Sequence, residues 1–168
     1  MSGAPAPEFS FPIDAMGLPP LGRHYSITAD ADQRARVASR FGVQEIAALT
    51  ASFELVPRAG GIVNVTGTVE ASLTQTCVVT LVPLPAALRE EVAARFSTIA
   101  PVAKAGAGKF DKAEEEFDAF SDEDPPEEAY DGQIDLGELA VVHLALGLDP
   151  YPRAPGAAFQ EPAWVEKP

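Results

Sequence analysis

Sulfur, imidazole and clustered positive charge are all scarce in this chain. Its 168 residues hold one cysteine, Cys77, and two histidines, His24 and His143. A single cysteine excludes an internal disulfide and any CxxC zinc knuckle. No family-type signature surrounds Cys77, so a Cys–His nucleophile has no support beyond the presence of both residue types. Apolar runs are short. The longest, around 136–148, falls below the roughly 18 residues that a spanning helix needs. The N-terminus lacks a basic stretch followed by an apolar core, so no secretory signal is expected. A soluble, cytoplasmic protein is the expectation from these absences.

Lysine and arginine number 12 against 25 acidic residues, a net charge of −13. The imbalance is local. Residues 111–138 hold thirteen Asp and Glu against one basic residue, Lys112, so the remaining chain is nearly neutral. Phosphate-backbone binding depends on clustered Lys and Arg, and none is clustered here. A broad nucleic-acid surface is not expected, and any RNA contact would be local, through Arg34, Arg36, Arg40 or Arg153. The acidic stretch, with Glu114, Glu115 and Glu116 at its centre, suits a basic protein partner. The plainer reading is a solvated loop held open by self-repulsion.

Period-two alternation dominates the first hundred residues. "EFSFPIDA" (8–15) alternates Phe9, Phe11 and Ile13 and reads as a short strand, and "RHYSIT" (23–28) as a second. "DADQRARVASRFG" (30–42) reads as a helix with Thr28 or Asp30 as its cap and Gly42 as a left-handed stop. Arg34 interrupts its apolar face. "ALTASFELVP" (48–57) alternates Leu49, Ala51, Phe53 and Leu55. "IVNVTGTVEASLTQTCVVTLVP" (62–83) alternates Val63, Val65, Gly67, Val69, Ala71 and Leu73, a long hairpin arm with Gly67 as the expected bulge or bend. "LPAALREEVAARFSTIAP" (84–101) fits a helix by propensity and a strand by its β-branched tail. Residues 103–131 read as a flexible acidic loop, and 154–168 as an extended, Pro-rich tail.

"DLGELAVVHLALGLDPYPR" (135–153) is a helix bounded by signals at both ends. Asp135 is a good N-cap, Glu138 completes a capping-box pattern, and "DPYP" stops it. A helical wheel places Leu136, Leu139, Ala140, His143, Leu146 and Gly147 on one side, with Val141, Ala145 and Leu148 over most of the other. A helix apolar nearly all round is buried on two sides or lies in an interface. His143 on such a face is expected to be a core histidine with a satisfied ring nitrogen. Cys77 is expected to be a small buried apolar residue.

No catalytic, cofactor or metal constellation emerges. "AGAGK" (105–109) lacks the spacing of a phosphate loop, and the acidic run lacks an EF-hand pattern. The order of segments does have a family likeness. "VTGTVEASLTQTCVVTLVPLPAALREEVAARFS" (65–97), an acidic spacer, and "DGQIDLGELAVVHLALGLDPYPR" (131–153) together resemble the YceD family, the large ribosomal RNA subunit accumulation proteins. The resemblance is strongest in "QTCVVTLVP" and "IDLGELAVVHLALGLDPYPR". It implies a non-enzymatic role in accumulation or processing of the large-subunit (23S) ribosomal RNA of bacteria, without a cofactor. It also implies that 88–99 continues the sheet as a strand. Where some members carry CxxC this chain has "TQTC", with Thr74 in place of the first cysteine, so any metal site of those members is absent here.

The expected architecture is a single α+β domain: a curved, mainly antiparallel sheet, two main helices, a long acidic loop and an extended tail. The expected partner is a basic ribosomal or rRNA-processing protein. Candidate interaction residues are Asp149, Tyr151 and Arg153 at the helix-ending corner, Arg36 and Arg40 on the first helix, and Glu114, Glu115 and Glu116. The alternative is a general acidic adaptor unrelated to ribosomes.

Overall fold

The computed structural model describes residues 6–99 and 125–159. Its centre is an open five-stranded sheet in the order β2-β3-β4-β5-β6. Strand β2 is Arg23–Thr28, β3 Glu45–Arg58, β4 Ile62–Thr76, β5 Pro83–Ser97 and β6 Glu127–Glu128. All neighbours are antiparallel except β5 and β6, which run parallel through Phe96 and Ser97. A second pair joins β1, Pro12–Asp14, to β7, Gln133–Asp135. Helix α1 is Ala31–Phe41 and α2 is Leu136–Gly147. The expected α+β class, with two helices and a mainly antiparallel sheet, is what the chain adopts.

Alternation fixes which face is buried, because successive side chains of a strand point to opposite sides. Val63, Val65, Val69, Ala71 and Leu73 of β4 are all buried, and so are Ile46, Leu49, Ala51, Phe53 and Leu55 of β3. The register stacks these into cross-strand rows: Ile27–Ala51–Val69, Leu49–Ala71–Leu88, and Leu55–Val65–Ala94. The opposite face carries Ser26, Ser52 and Thr68 in one row and Thr28, Thr50 and Glu70 in the next. A sheet apolar on one side only requires cover on that side alone. Helix α1 packs on β3, and α2 packs on β4, β5 and β1.

Segment 84–101 tests propensity against context. Ala, Glu and Arg favour helix, yet Pro83–Ser97 is a strand paired with β4 along its whole length. The 15 cross-strand positions supplied by β4 outweigh a preference of a few tenths of a kcal/mol per residue. Leu88, Val92, Ala94 and Phe96 face the core side as a period of two requires.

Gly67 does not mark a bulge. Pairing runs unbroken through it on both sides, and the irregularity in β3 falls between Ile46 and Ala48. Glycine is required because its cross-strand partner Phe53 is wholly buried over it. A Cβ at 67 would collide with the Ser52 carbonyl oxygen and stand 2.7 Å from Cδ1 of the Phe53 ring.

The two helices are fixed by their ends. Asp30 accepts from the Gln33 N–H at 2.8 Å while Gln33 Oε1 accepts from the Asp30 N–H at 2.9 Å, a reciprocal capping box. Gly42 closes α1 at φ 66°, in the left-handed region. Arg34, the interruption in the α1 face, donates to the Ala29 carbonyl at 2.7 Å and the Ile46 carbonyl at 3.2 Å. It therefore ties α1 to both flanking strands. At α2, Asp135 Oδ1 accepts from the N–H groups of Gly137, Glu138 and Phe11, and Oδ2 accepts from the Ser10 hydroxyl at 2.6 Å. One carboxylate thus joins β7, the helix start and the segment entering β1. Glu138 does not close a capping box; it reaches Arg40 instead.

Part of the stretch read as an acidic loop is built into the fold. Residues 125–131 belong to the fold, with β6 at 127–128 and a tight turn at Tyr130–Gly132. Glu114, Glu115 and Glu116 lie outside the described residues. Of the tail, Ala154–Phe159 is described, and it turns at Pro155–Gly156 with the Ala157 N–H on the Ala154 carbonyl.

Replacing Gly67 by Ala should destabilise the protein by about 1–3 kcal/mol, the usual cost of forcing atoms into a packed core. Thr66→Ala beside it, on the exposed face, should stay within about 0.5 kcal/mol. Urea unfolding of both variants checks the pair.

Candidate functional site

The β4–β5 connection and the chain after α2 meet at one end of the sheet. Leaving β4, the chain makes a compact loop in which Cys77 N–H donates to the Val82 carbonyl and Leu81 N–H to the Cys77 carbonyl. Leu81 takes φ +61°, a conformation that costs a side chain about 1–2 kcal/mol. After α2, Asp149 Oδ1 accepts from the Tyr151 N–H at 2.9 Å, turning the chain at the two prolines. Three bonds then join the segments. Gln75 Nε2 donates to the Asp149 carbonyl at 2.9 Å, Val78 N–H to the Pro152 carbonyl at 2.9 Å, and Ala154 N–H to Cys77 Sγ at 3.3 Å.

Cys77 is the hinge pin of this corner. The side chain has no exposed surface, as expected, but it is more than an apolar filler. Its sulfur also accepts from the Thr80 N–H at 3.4 Å. Hydrogen bonding from the Thr80 side chain favours the thiolate most. The backbone N–H groups of Ala154, Thr80 and Val79 act in the same direction and outweigh burial, which opposes it, so the pKa falls to about 6.

What projects from the corner is apolar. Leu81 is 73% exposed and Tyr151 71%, with Val78 and Val82 nearly half exposed beside them. A leucine held at positive φ and pointed at solvent contributes nothing to the core, so packing does not account for the strain. Asp149, Tyr151 and Arg153 divide accordingly. Asp149 builds the turn and receives Gln75, whereas Tyr151 and Arg153 are exposed.

Arg40 and Arg36 also divide. Arg40 Nη1 lies 3.0 Å from Glu8 Oε2 and 3.1 Å from Glu138 Oε1, linking α1 to α2 and to the N-terminal segment. Hydrogen bonding to Glu138 holds its pKa above the ordinary value. The Arg40 guanidinium is therefore already committed to intramolecular pairs. Arg36 is exposed on the same helix, and its charge adds to the lowering of the Glu8 pKa.

His143 is the site residue that the sequence pattern misplaced. It is half-buried rather than a core residue, and its ring makes no hydrogen bond with the described residues. It lines two hollows beside α2. One, of about 560 Å³, runs along Asn64, Thr66, Ala94, Arg95, Val142 and Leu146. The other, of about 540 Å³, is bordered by Glu127, Glu128, Asp131, Asp135 and Glu138. These five are all the carboxylates of the acidic run that fall among the described residues. The wheel assignment of α2 changes too: Gly137, Val141 and Leu144 turn inward, and Val142, Ala145 and Leu146 face outward.

Among the described residues no group of three His, Cys, Asp or Glu side chains is placed to hold a metal ion, and no helix is long and apolar enough to cross a membrane. Compared with protein families, characterised proteins and solved structures, the chain matches none.

Two measurements test this corner. Leu81→Gly removes the left-handed strain at a smaller entropic cost, so it should stabilise the fold by about 0.5–1 kcal/mol. A loss of stability would show that the leucine packs. The lowered thiol pKa means that Cys77 contributes stability present above its unfolded value and lost as pH falls toward about 6. Stability relative to Cys77→Ala should therefore rise between pH 6 and 9, and thiolate absorbance should titrate near pH 6. A midpoint at or above about 8.5, the unperturbed thiol value, would contradict the assigned hydrogen bonds.

Proposed function

We propose that this protein is a non-enzymatic factor that supports accumulation of large-subunit ribosomal RNA by contacting a basic protein of the assembling particle. The observation that carries the reading is the meeting of its two most family-like segments. "QTCVVTLVP" and the end of "IDLGELAVVHLALGLDPYPR" are about seventy residues apart in sequence, and two hydrogen bonds between them and a third from Ala154, the next residue, hold them in one corner. A resemblance carried by two segments that build one surface is better explained by a shared surface than by chance.

Charge supports a protein contact over a broad RNA contact. Of the four arginines considered for RNA, Arg34 and Arg40 are spent within the fold, leaving Arg36 and Arg153 on separate elements. Two dispersed cations do not make a phosphate-binding stripe. The acidic excess and the exposed Leu81 and Tyr151 suit a basic protein with an apolar spot. This role belongs in the bacterial cytoplasm, where ribosomes assemble.

A tagged protein recovered from growing cells should bring down large-subunit RNA precursor together with ribosomal proteins. A bait lacking residues 111–124, which spares β6 and the turn after it, and a Tyr151→Ala, Leu81→Ser bait divide the mechanism between the acidic segment and the corner. Recovery lost only with the double substitution assigns the contact to the corner. Absence of ribosomal material from every bait would sink the ribosomal role and leave the adaptor reading.

A further inference from the structure

We propose that the outer face of α2 is the seat of a basic amphipathic helix belonging to the protein partner. This rests on the reading above only in taking the partner to be basic. Helix α2 has two apolar sides. The inner one, with Leu136, Ala140, Val141 and Leu144, is the cover of the sheet. The outer one carries Val142, Ala145 and Leu146, and Leu146 is 74% exposed. Val142 and Leu146 are one turn apart and present a continuous strip. The core is complete without them. An exposed apolar strip beside a concave surface marks an interaction site.

The two hollows beside this strip meet at Glu127, Val142 and His143 and form one groove. Its rim decides the occupant. Glu138 is balanced by Arg40, and Asp135 is occupied as the helix cap, which leaves Glu127, Glu128 and Asp131 exposed along one side. Among the described residues Arg95 is the one arginine or lysine of the lining. An apolar floor with an acidic rim is complementary to a helix with apolar residues at i, i+3, i+4 and i+7 and Lys or Arg flanking them. Like charge disfavours the alternatives. Residues 100–124 of this chain carry eight carboxylates against three lysines, and a second copy would set acidic rim against acidic rim. The 12 residues of α2 span about 18 Å, enough to seat three turns of a partner helix.

The test uses the full chain, labelled with nitrogen-15, and a synthetic 14-residue helix of Leu on one face and Lys elsewhere, with a Glu-for-Lys peptide as control. The Lys peptide should bind saturably, shift the amides of Glu127, Val142 and Leu146, and weaken as salt is raised. Leu146→Glu, at an exposed position that leaves the melting temperature unchanged, should weaken binding at least tenfold. Deletion of 111–124, which leaves the rim carboxylates Glu127, Glu128 and Asp131 in place, should change it by less than about twofold. The proposal is overturned by equal binding of the Glu peptide, by no effect of Leu146→Glu, by amide shifts confined elsewhere, by dependence on 111–124, or by Leu146-dependent self-association. Peptide binding in the groove without recovery of ribosomal material from cells would retain the groove and remove the ribosomal role. The reverse result would do the opposite.

Discussion

The inward row of β4 governs the molecule. Val63, Val65, Gly67, Val69, Ala71 and Leu73 form one side of a strand paired over its length with β3 and over its length again with β5. A one-residue slip on either side would turn an entire apolar row to water, so the register is set as firmly as the burial. Because only one face is apolar, the helices must lie on that face. The acidic segment and the segment leading into β1 then have to be placed around them. Asp135 completes the arrangement by accepting four hydrogen bonds from two other parts of the chain, the segment entering β1 and the start of α2.

The ends of the long strands matter as much as their centres. A hairpin of this length carries its connecting loop away from the core, where few contacts order it. Here the loop is held by the chain that follows α2, through the Gln75 side chain, one backbone bond and the Cys77 sulfur. The corner is therefore assembled from both halves of the fold, and it presents Leu81 and Tyr151 on a fixed base. Side chains held in place before binding lose less entropy on association than side chains on a free loop.

Charge has a similar organisation. Acidic residues that look like one solvated stretch in the sequence do not all belong to a loop. Those from Glu127 to Glu138 lie on ordered elements and converge beside an apolar helix face. Arginines that look like a free cationic face divide as well: Arg34 and Arg40 fasten α1 to its neighbours, while Arg36 is exposed. Surface pairs such as Arg40 with Glu8 and Glu138 contribute little stability individually, but they set which charges a partner meets.

Strands β1 to β4, the cap of α2 and the buried rows of β3 and β4 were legible from the sequence, because alternation with a period of two and capping by Asp135 are local consequences of backbone geometry; Asp30 was one of two candidate caps for α1, and β6 and β7 were not read as strands. Segment 84–101 was not legible from propensity, since the hydrogen-bonding partner that makes it a strand lies in β4. The same holds for Gly67, whose necessity comes from Phe53 across the ladder rather than from its neighbours. His143 and the outward turn of Val142 and Leu146 depend on which side of an all-apolar helix meets the sheet, and a wheel without a clear polar side cannot specify that. The sequence determined the elements and their buried faces, which short-range physics controls. The tertiary structure decided which apolar and charged residues remain for a partner, because that depends on the contacts between distant segments.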